Sequence, residues 1–250
     1  MKYIISLMIL AGVGNFALCQ TKIDKTIATK NGQNVSLDFT WPELIQVSSW
    51  DKNEIKIEAM VSINQGQDDE AFKLKVDEAS GSIRVKSDIE NFDNLPHKIM
   101  IKAGGQEYFF NTDDRNSPEV VKFLDEKGSN GYEFMNHGVI MDIKLVVYVP
   151  SNINLDIYSK YGMVEVNEYN GKLSVHSKFG GVDIKVPSAK NTIKAGTKFG
   201  RKYTDLDQKF ATLEYGDHPG KWDWVSCDIN GGGALQELKS EFGNIYIRKP

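Results

Sequence analysis

The sequence predicts a mostly β fold, a single domain wound as a parallel β-helix or β-roll solenoid with a short helical insertion. Three observations carry that expectation. Apolar and polar residues alternate at period two along most of the chain after residue 30, as half-buried strands require. A corner made of Ser or Thr, Lys or Glu, an aromatic residue and Gly recurs at similar spacings. One stretch alone carries both helix start and helix stop signals. An antiparallel meander or sandwich is the competing topology, because Asn170-Gly171 is a strong two-residue hairpin signal.

Composition sets the outer bounds. The chain has 250 residues, 40% of them hydrophobic and 26% charged, enough to bury a sizeable core and too apolar for a disordered chain. With 30 basic and 34 acidic side chains the net charge is -4, and nucleic acid is not an expected partner.

The N-terminal residues 1–19 read as a secretory signal peptide. Lys2 supplies the positive start, residues 3–13 are almost wholly apolar, and Ala17-Leu18-Cys19 places small residues at the positions that precede a cut before Gln20. The apolar run falls short of the ~20 residues of a membrane-spanning helix, and no later stretch reaches that length. The expected domain therefore covers 20–250, exported to a periplasm, an outer cell surface or the medium, without a transmembrane helix. Cys19 invites comparison with a lipid-bearing cysteine, but bulky Leu18 stands where a lipobox carries Gly, Ala or Ser, so a lipid anchor is the less favoured outcome. Removal of Cys19 leaves Cys227 without a disulfide partner.

The strands follow in order. Val35, Leu37 and Phe39 alternate, then Ile45 and Val47, Ile55 and Ile57, Phe72, Leu74 and Val76, and Ile83 and Val85, with Asp51-Lys52-Asn53 and Ser80-Gly81 as turns. Residues 102–138 break the rhythm and read as an insertion. Within it Ser117 is an N-cap, Pro118 the first helical residue and Gly128 the stop, with Val120, Val121 and Leu124 expected to face a sheet. Alternation resumes at residues 139–149.

The repeat occupies the C-terminal half. Ser159-Lys160-Tyr161-Gly162, Ser177-Lys178-Phe179-Gly180, Thr197-Lys198-Phe199-Gly200 and Ser240-Glu241-Phe242-Gly243 align, with a weaker copy at Tyr215-Gly216. Each unit reads as strand, corner, strand. Such a unit cannot bury its apolar face alone, so copies must stack, with the aromatics in a ladder and each Gly allowing either a positive φ or a close approach. The copy after Gly200 is eroded, with Lys202 and Thr204 in place of the apolar pair.

Together these features resemble a bacterial family, common in the Bacteroidetes, whose members are named as adhesins of unknown function and are built from repeated short strands. The resemblance rests on 47–59 as strand, turn and strand, on 146–157 as the extended segment before the repeats, and on the Ser-Lys-Tyr/Phe-Gly corners. It implies a non-catalytic module that presents an extended β surface to a glycan or an envelope protein.

A search for chemistry supports no enzyme. His97, His137, His176 and His218 lack a zinc spacing, and Asn111-Thr112-Asp113-Asp114-Arg115-Asn116 lacks the spacing and central Gly of a calcium loop, so no metal and no cofactor are expected. Nucleophile-elbow, phosphate-loop and dinucleotide patterns are missing from the sequence. Asp156, Glu165 and Asp183 would be the acids of a carbohydrate-active β-helix enzyme, the second alternative, but outward acids are what any solvated strand carries. A purely structural envelope protein is the first alternative. Trp222-Asp223-Trp224 puts two rings on one strand face, where they either stack on a ligand or pack over an end of the solenoid.

Overall fold

The computed structural model describes residues 20–79, 81–128, 131–214 and 220–250. The expected signal segment with Cys19, the corner Tyr215-Gly216 and His218 lie outside the described residues. In chain order the strands are β1 (Thr21–Ala28), β2 (Asn34–Phe39), β3 (Leu44–Trp50), β4 (Glu54–Ile63), β5 (Phe72–Ala79), β6 (Ser82–Ile89), β7 (Lys98–Ala103), β8 (Gln106–Phe110), β9 (Phe134–Gly138) and β10 (Met141–Pro150). They continue as β11 (Asn154–Ser159), β12 (Met163–Asn167), β13 (Leu173–Ser177), β14 (Val182–Lys185), β15 (Asn191–Thr197), β16 (Lys202–Thr204), β17 (Ala211–Glu214), β18 (Asp223–Ile229), β19 (Ala234–Ser240) and β20 (Ile245–Arg248). The α-helix α1 (Pro118–Lys127) lies between β8 and β9.

Two large mixed sheets enclose the core. The first runs β1-β4-β10-β3-β12-β14-β20-β16 and the second β17-β18-β15-β19-β13-β11-β2-β6-β5. Central neighbours pair in parallel, whereas β1, β4 and β10 in the first sheet and β18, β17 and β5 in the second pair antiparallel. Each of the four full repeats gives one strand to each sheet, whereas β17 and β18, which flank the weaker copy, pair antiparallel within the second sheet. Thus β11 and β12, for example, face each other across the core. Their inward side chains, including Leu155, Ile157, Val164 and Val166, are buried, while the alternate residues point outward.

These pairings form a mostly β fold of mixed sheets, compatible with the antiparallel alternative, and do not show the expected single parallel solenoid. Neither sheet closes, and the antiparallel strands are integral to both. The unit β19/β20 also lies between β13/β14 and β15/β16, although it is last in the chain. Burial explains that order. Ile245 and Ile247 suit a position with neighbours on both sides, whereas Lys202 and Thr204 of the eroded copy occupy the same inward rows and suit only an edge. Lys202 crosses the end of the core to Asp223 on the other sheet, 2.7 Å from its carboxylate and 3.0 Å from its carbonyl oxygen. The hairpin that Asn170-Gly171 signals for the competing topology does not form, because β12 and β13 belong to different sheets. Buried Tyr169 fixes that bend by donating from its hydroxyl to Ile153 O at 2.7 Å.

The insertion is more ordered than its composition suggests. It begins at Lys98, and β8-β7-β9 form an antiparallel sheet covered by α1. Val120 is buried against Ile99 and Ile101, with Phe123 and Leu124 packed beside it, whereas Val121 is 39% exposed and does not face the sheet. Ser117 stands at the N-cap without a side-chain capping bond, and Pro118 opens the helix. Asn64 clamps both connections to the main body. It donates from Nδ2 to Pro96 O at 2.9 Å, and its Oδ1 accepts from Ile140 N at 3.1 Å.

Candidate binding surface

The corner repeat builds a polar ladder inside and an aromatic one outside. Phe39, Ser159, Ser177, Ser240 and Thr197 share one inward row. Ser159 and Ser177 both donate to Gly162 O, at 2.9 and 3.1 Å, and Ser240 donates to Gly180 O at 3.0 Å. These hydroxyls are buried and satisfied by carbonyls of the stacked corners, which is why the repeat keeps a small hydroxyl residue there. The corner glycines 162, 180, 243 and 200 are not in the left-handed region. Their requirement is close approach: a Cβ on any of them would come within 3.0 Å of a backbone oxygen of the adjacent corner.

Stacking places the aromatic residue of each corner in line. Tyr161 and Phe179 have ring centroids 5.5 Å apart, Phe179 and Phe242 5.1 Å, and Phe242 and Phe199 4.9 Å, with interplanar angles of 14°, 16° and 9°. The steps follow the spacing of neighbouring strands, about 4.7–4.9 Å, and widen slightly toward Tyr161. All four rings are 45–52% exposed, so they cover the outside of the corner rather than the core. The inner rings hide their faces against one another and show their edges to solvent.

Sequence reasoning missed the first rung. Trp41 lies 6.1 Å from Tyr161 and stacks on Phe92 at 4.4 Å, extending the ladder. Pro42 O lies under Gly162 as each corner carbonyl lies under the next Gly. Phe39-Thr40-Trp41-Pro42 is thus a corner in which Phe replaces Ser and Pro replaces Gly. The readable signal was an aromatic residue two positions after the last inward residue of a strand.

Trp222 and Trp224 stand beside this ladder on the outer face of the second sheet. Their centroids are 5.4 Å apart, and both are partly exposed. Trp224 pairs with Gly196 across the β15–β18 ladder, and its ring lies where a Gly196 side chain would be. Lys198 Nζ is 5.0 Å from the Trp222 ring centroid, and Lys194 Nζ is 4.5 Å from that of Trp224. His176 contacts the edge of Trp222, and its Nε2 lies 3.3 Å from Glu241. Burial holds His176 below the ordinary imidazole range, and Glu241 opposes that effect.

The other sequence candidates do not converge. Asp156 is on the second sheet, whereas Glu165 and Asp183 are neighbours on the first, where Asp183 pairs with Arg248 at 2.7 Å. His97 and His137 approach the Asp113 loop at the insertion, far from His176 in the fold's connectivity. Among the described residues no group of three or more His, Cys, Asp or Glu is placed to hold a metal. Cys227 is buried, which pushes its thiol pKa up and keeps it unreactive. No helix among the described residues is long and apolar enough to cross a membrane.

No family model matches the chain, and no curated protein matches it. Among solved structures, the chain is similar to a putative cell adhesion protein from Clostridium sporogenes, with 8% identity, a TM-score of 0.50, and coverage of 93% of this chain and 100% of the other. That likeness concerns the fold alone. A putative adhesin from Bacteroides fragilis aligns over 92% of this chain and 97% of its own at 8% identity, with a TM-score of 0.20 that carries no argument.

Proposed function

We propose that the chain is an exported, non-catalytic binding module of the adhesin type, and that its central strands and stacked corners are rungs of a short β-roll. The reading takes residues 1–19 as a signal peptide and places the protein at the cell envelope or outside it. Its ligand is a glycan or an envelope protein. The observation that carries the reading is the continuous strip of half-exposed aromatic rings, Tyr161, Phe179, Phe242 and Phe199, beside Trp222 and Trp224. A monomer rarely leaves so many large rings together in water unless they meet a partner. The name of the Clostridium structure agrees with an adhesive role.

A structural envelope role is the second reading, favoured by the ladder's mutual stacking, which is stabilising without any ligand. The Trp pair separates the two. Trp222→Ala should abolish attachment to envelope glycan or surface preparations while leaving the melting temperature unchanged. A lowered melting temperature with attachment intact would assign the rings to structure. Trp224→Ala is the less clean probe, because that ring also covers Gly196.

A further inference from the structure

We infer that the strip at the aromatic corner takes a linear polysaccharide of uronic acids, an inference that rests on the binding-module reading and names its ligand class. Its charge is the first ground. The whole chain is acidic, at -4, yet the residue preceding the ring in successive rungs is Lys160, Lys178, Glu241 and Lys198. Lys160 and Lys178 have no carboxylate partner among the described residues, and each ammonium instead stands beside its neighbouring ring, 4.9 Å from the Tyr161 centroid and 5.1 Å from that of Phe179. The one acid in the row, Glu241, is already engaged by Lys198 at 3.4 Å and faces His176. Two unpaired cations therefore stand along the strip, and the exposed ring edges beside them carry the positive side of the aromatic quadrupole. The strip complements an anion.

Spacing is the second ground. Duplex nucleic acid carries a charge about every 1.7 Å, whereas this row offers one side chain per rung, at ring steps of 4.9 to 5.5 Å. A uronic-acid chain repeats on the scale of one sugar ring and bears one carboxylate per residue. Its C–H surface can lie against the ring edges while its carboxylates meet the lysines, and the Trp222 end adds apolar area where the strip continues onto the sheet face. A flexible acidic peptide matches the charge but supplies no such rigid apolar surface.

The test is binding of the purified exported protein to polygalacturonate, to neutral dextran and to poly-glutamate, in low and high salt. Expected is binding to polygalacturonate that weakens with salt, at least about tenfold tighter than to either comparator. Lys160→Glu with Lys178→Glu should weaken it by roughly tenfold or more at an unchanged melting temperature. Lys30→Glu with Lys190→Glu, remote from the corner in the chain, serves as the charge-matched control and should retain most of the affinity. Equal binding of dextran, or equal binding of poly-glutamate, overturns the inference, as does an equal loss in both double variants. If the protein still attaches to envelope preparations but ignores polygalacturonate, the ligand class is wrong and the binding-module reading stands. If it attaches to nothing, both fall.

Discussion

Replacing Gly180 by Ala tests whether the corners are stacked as tightly as the geometry indicates. Gly180 has no left-handed backbone, so the substitution carries no φ penalty. Its whole cost comes from the new methyl group, which meets the carbonyl of Gly162 and the amide nitrogen of Met163, all backbone atoms that cannot rotate away. Restoring contact near 3.5 Å requires the two corners to part by roughly 1 Å. That movement stretches the bond from Ser177 to Gly162 O and the ring contact between Phe179 and Tyr161. Overpacking of this kind costs about 1–3 kcal/mol and occasionally more, and a weakened buried hydrogen bond adds about 1 kcal/mol. We expect a loss of ~3 kcal/mol in urea unfolding, or a fall in melting temperature of roughly 6–12 °C. Gly32→Ala is the comparison, since no atom lies within 4 Å of its Cβ and only the φ of +73° is penalised. It should cost about 1–2 kcal/mol. A Gly180→Ala loss below about 1 kcal/mol, or below that of Gly32→Ala, would refute the stacking argument.

Other expectations concern the hydroxyl row, the insertion and pH. Ser240→Ala should cost more than Ser177→Ala in chemical unfolding, about 1–3 against 0.5–1.5 kcal/mol, because Gly162 O keeps Ser159 as a donor while Gly180 O loses its side-chain donor. Asn64→Ala removes side-chain bonds to both connections of the insertion and should cost ~2–4 kcal/mol, with faster hydrogen exchange at the Ile140 amide as the local readout. His176 binds protons less readily folded than unfolded, so the unfolded chain gains protons first as the pH falls through 6.5, and stability declines on acidification in that window. His176→Gln should flatten the stability profile there, and an unchanged slope would count against that assignment. Phe179→Ala removes the inner ring between Tyr161 and Phe242; because the ring is half exposed, the loss should be about 1–2 kcal/mol, well below the 3–5 of a buried Phe.

Much of the strand pattern was legible because period-two alternation reports burial directly. Val35, Leu37, Ile45 and Val47 are inward in the structure as they are in the pattern. The repeated corner was legible for a related reason: each copy meets the same neighbours, so each needs the same hydroxyl, ring and missing Cβ. Less was legible in the insertion, where β8 and β9 are short, half-exposed strands without clean alternation and take their register from β7. The lysines of the row stand in the repeated corner itself, but which of them are paired with an acid is decided by neighbours from other rungs and so only by the fold.

By itself the sequence determined the class of fold, the helix at Pro118–Lys127 and the residues that would stack at the corners. Those are local quantities, set by periodicity, capping and the chemistry of individual side chains. Tertiary structure alone decided the order of stacking. Chain order would put Phe199 next to Phe179, yet the fold sets Phe242 between them, with the strand of Ile245 and Ile247 covered on both sides and the Lys202 strand at the end of the sheet. It also decided whether the corner glycines served a positive φ or a close approach, a distinction that depends on a carbonyl contributed by a different rung.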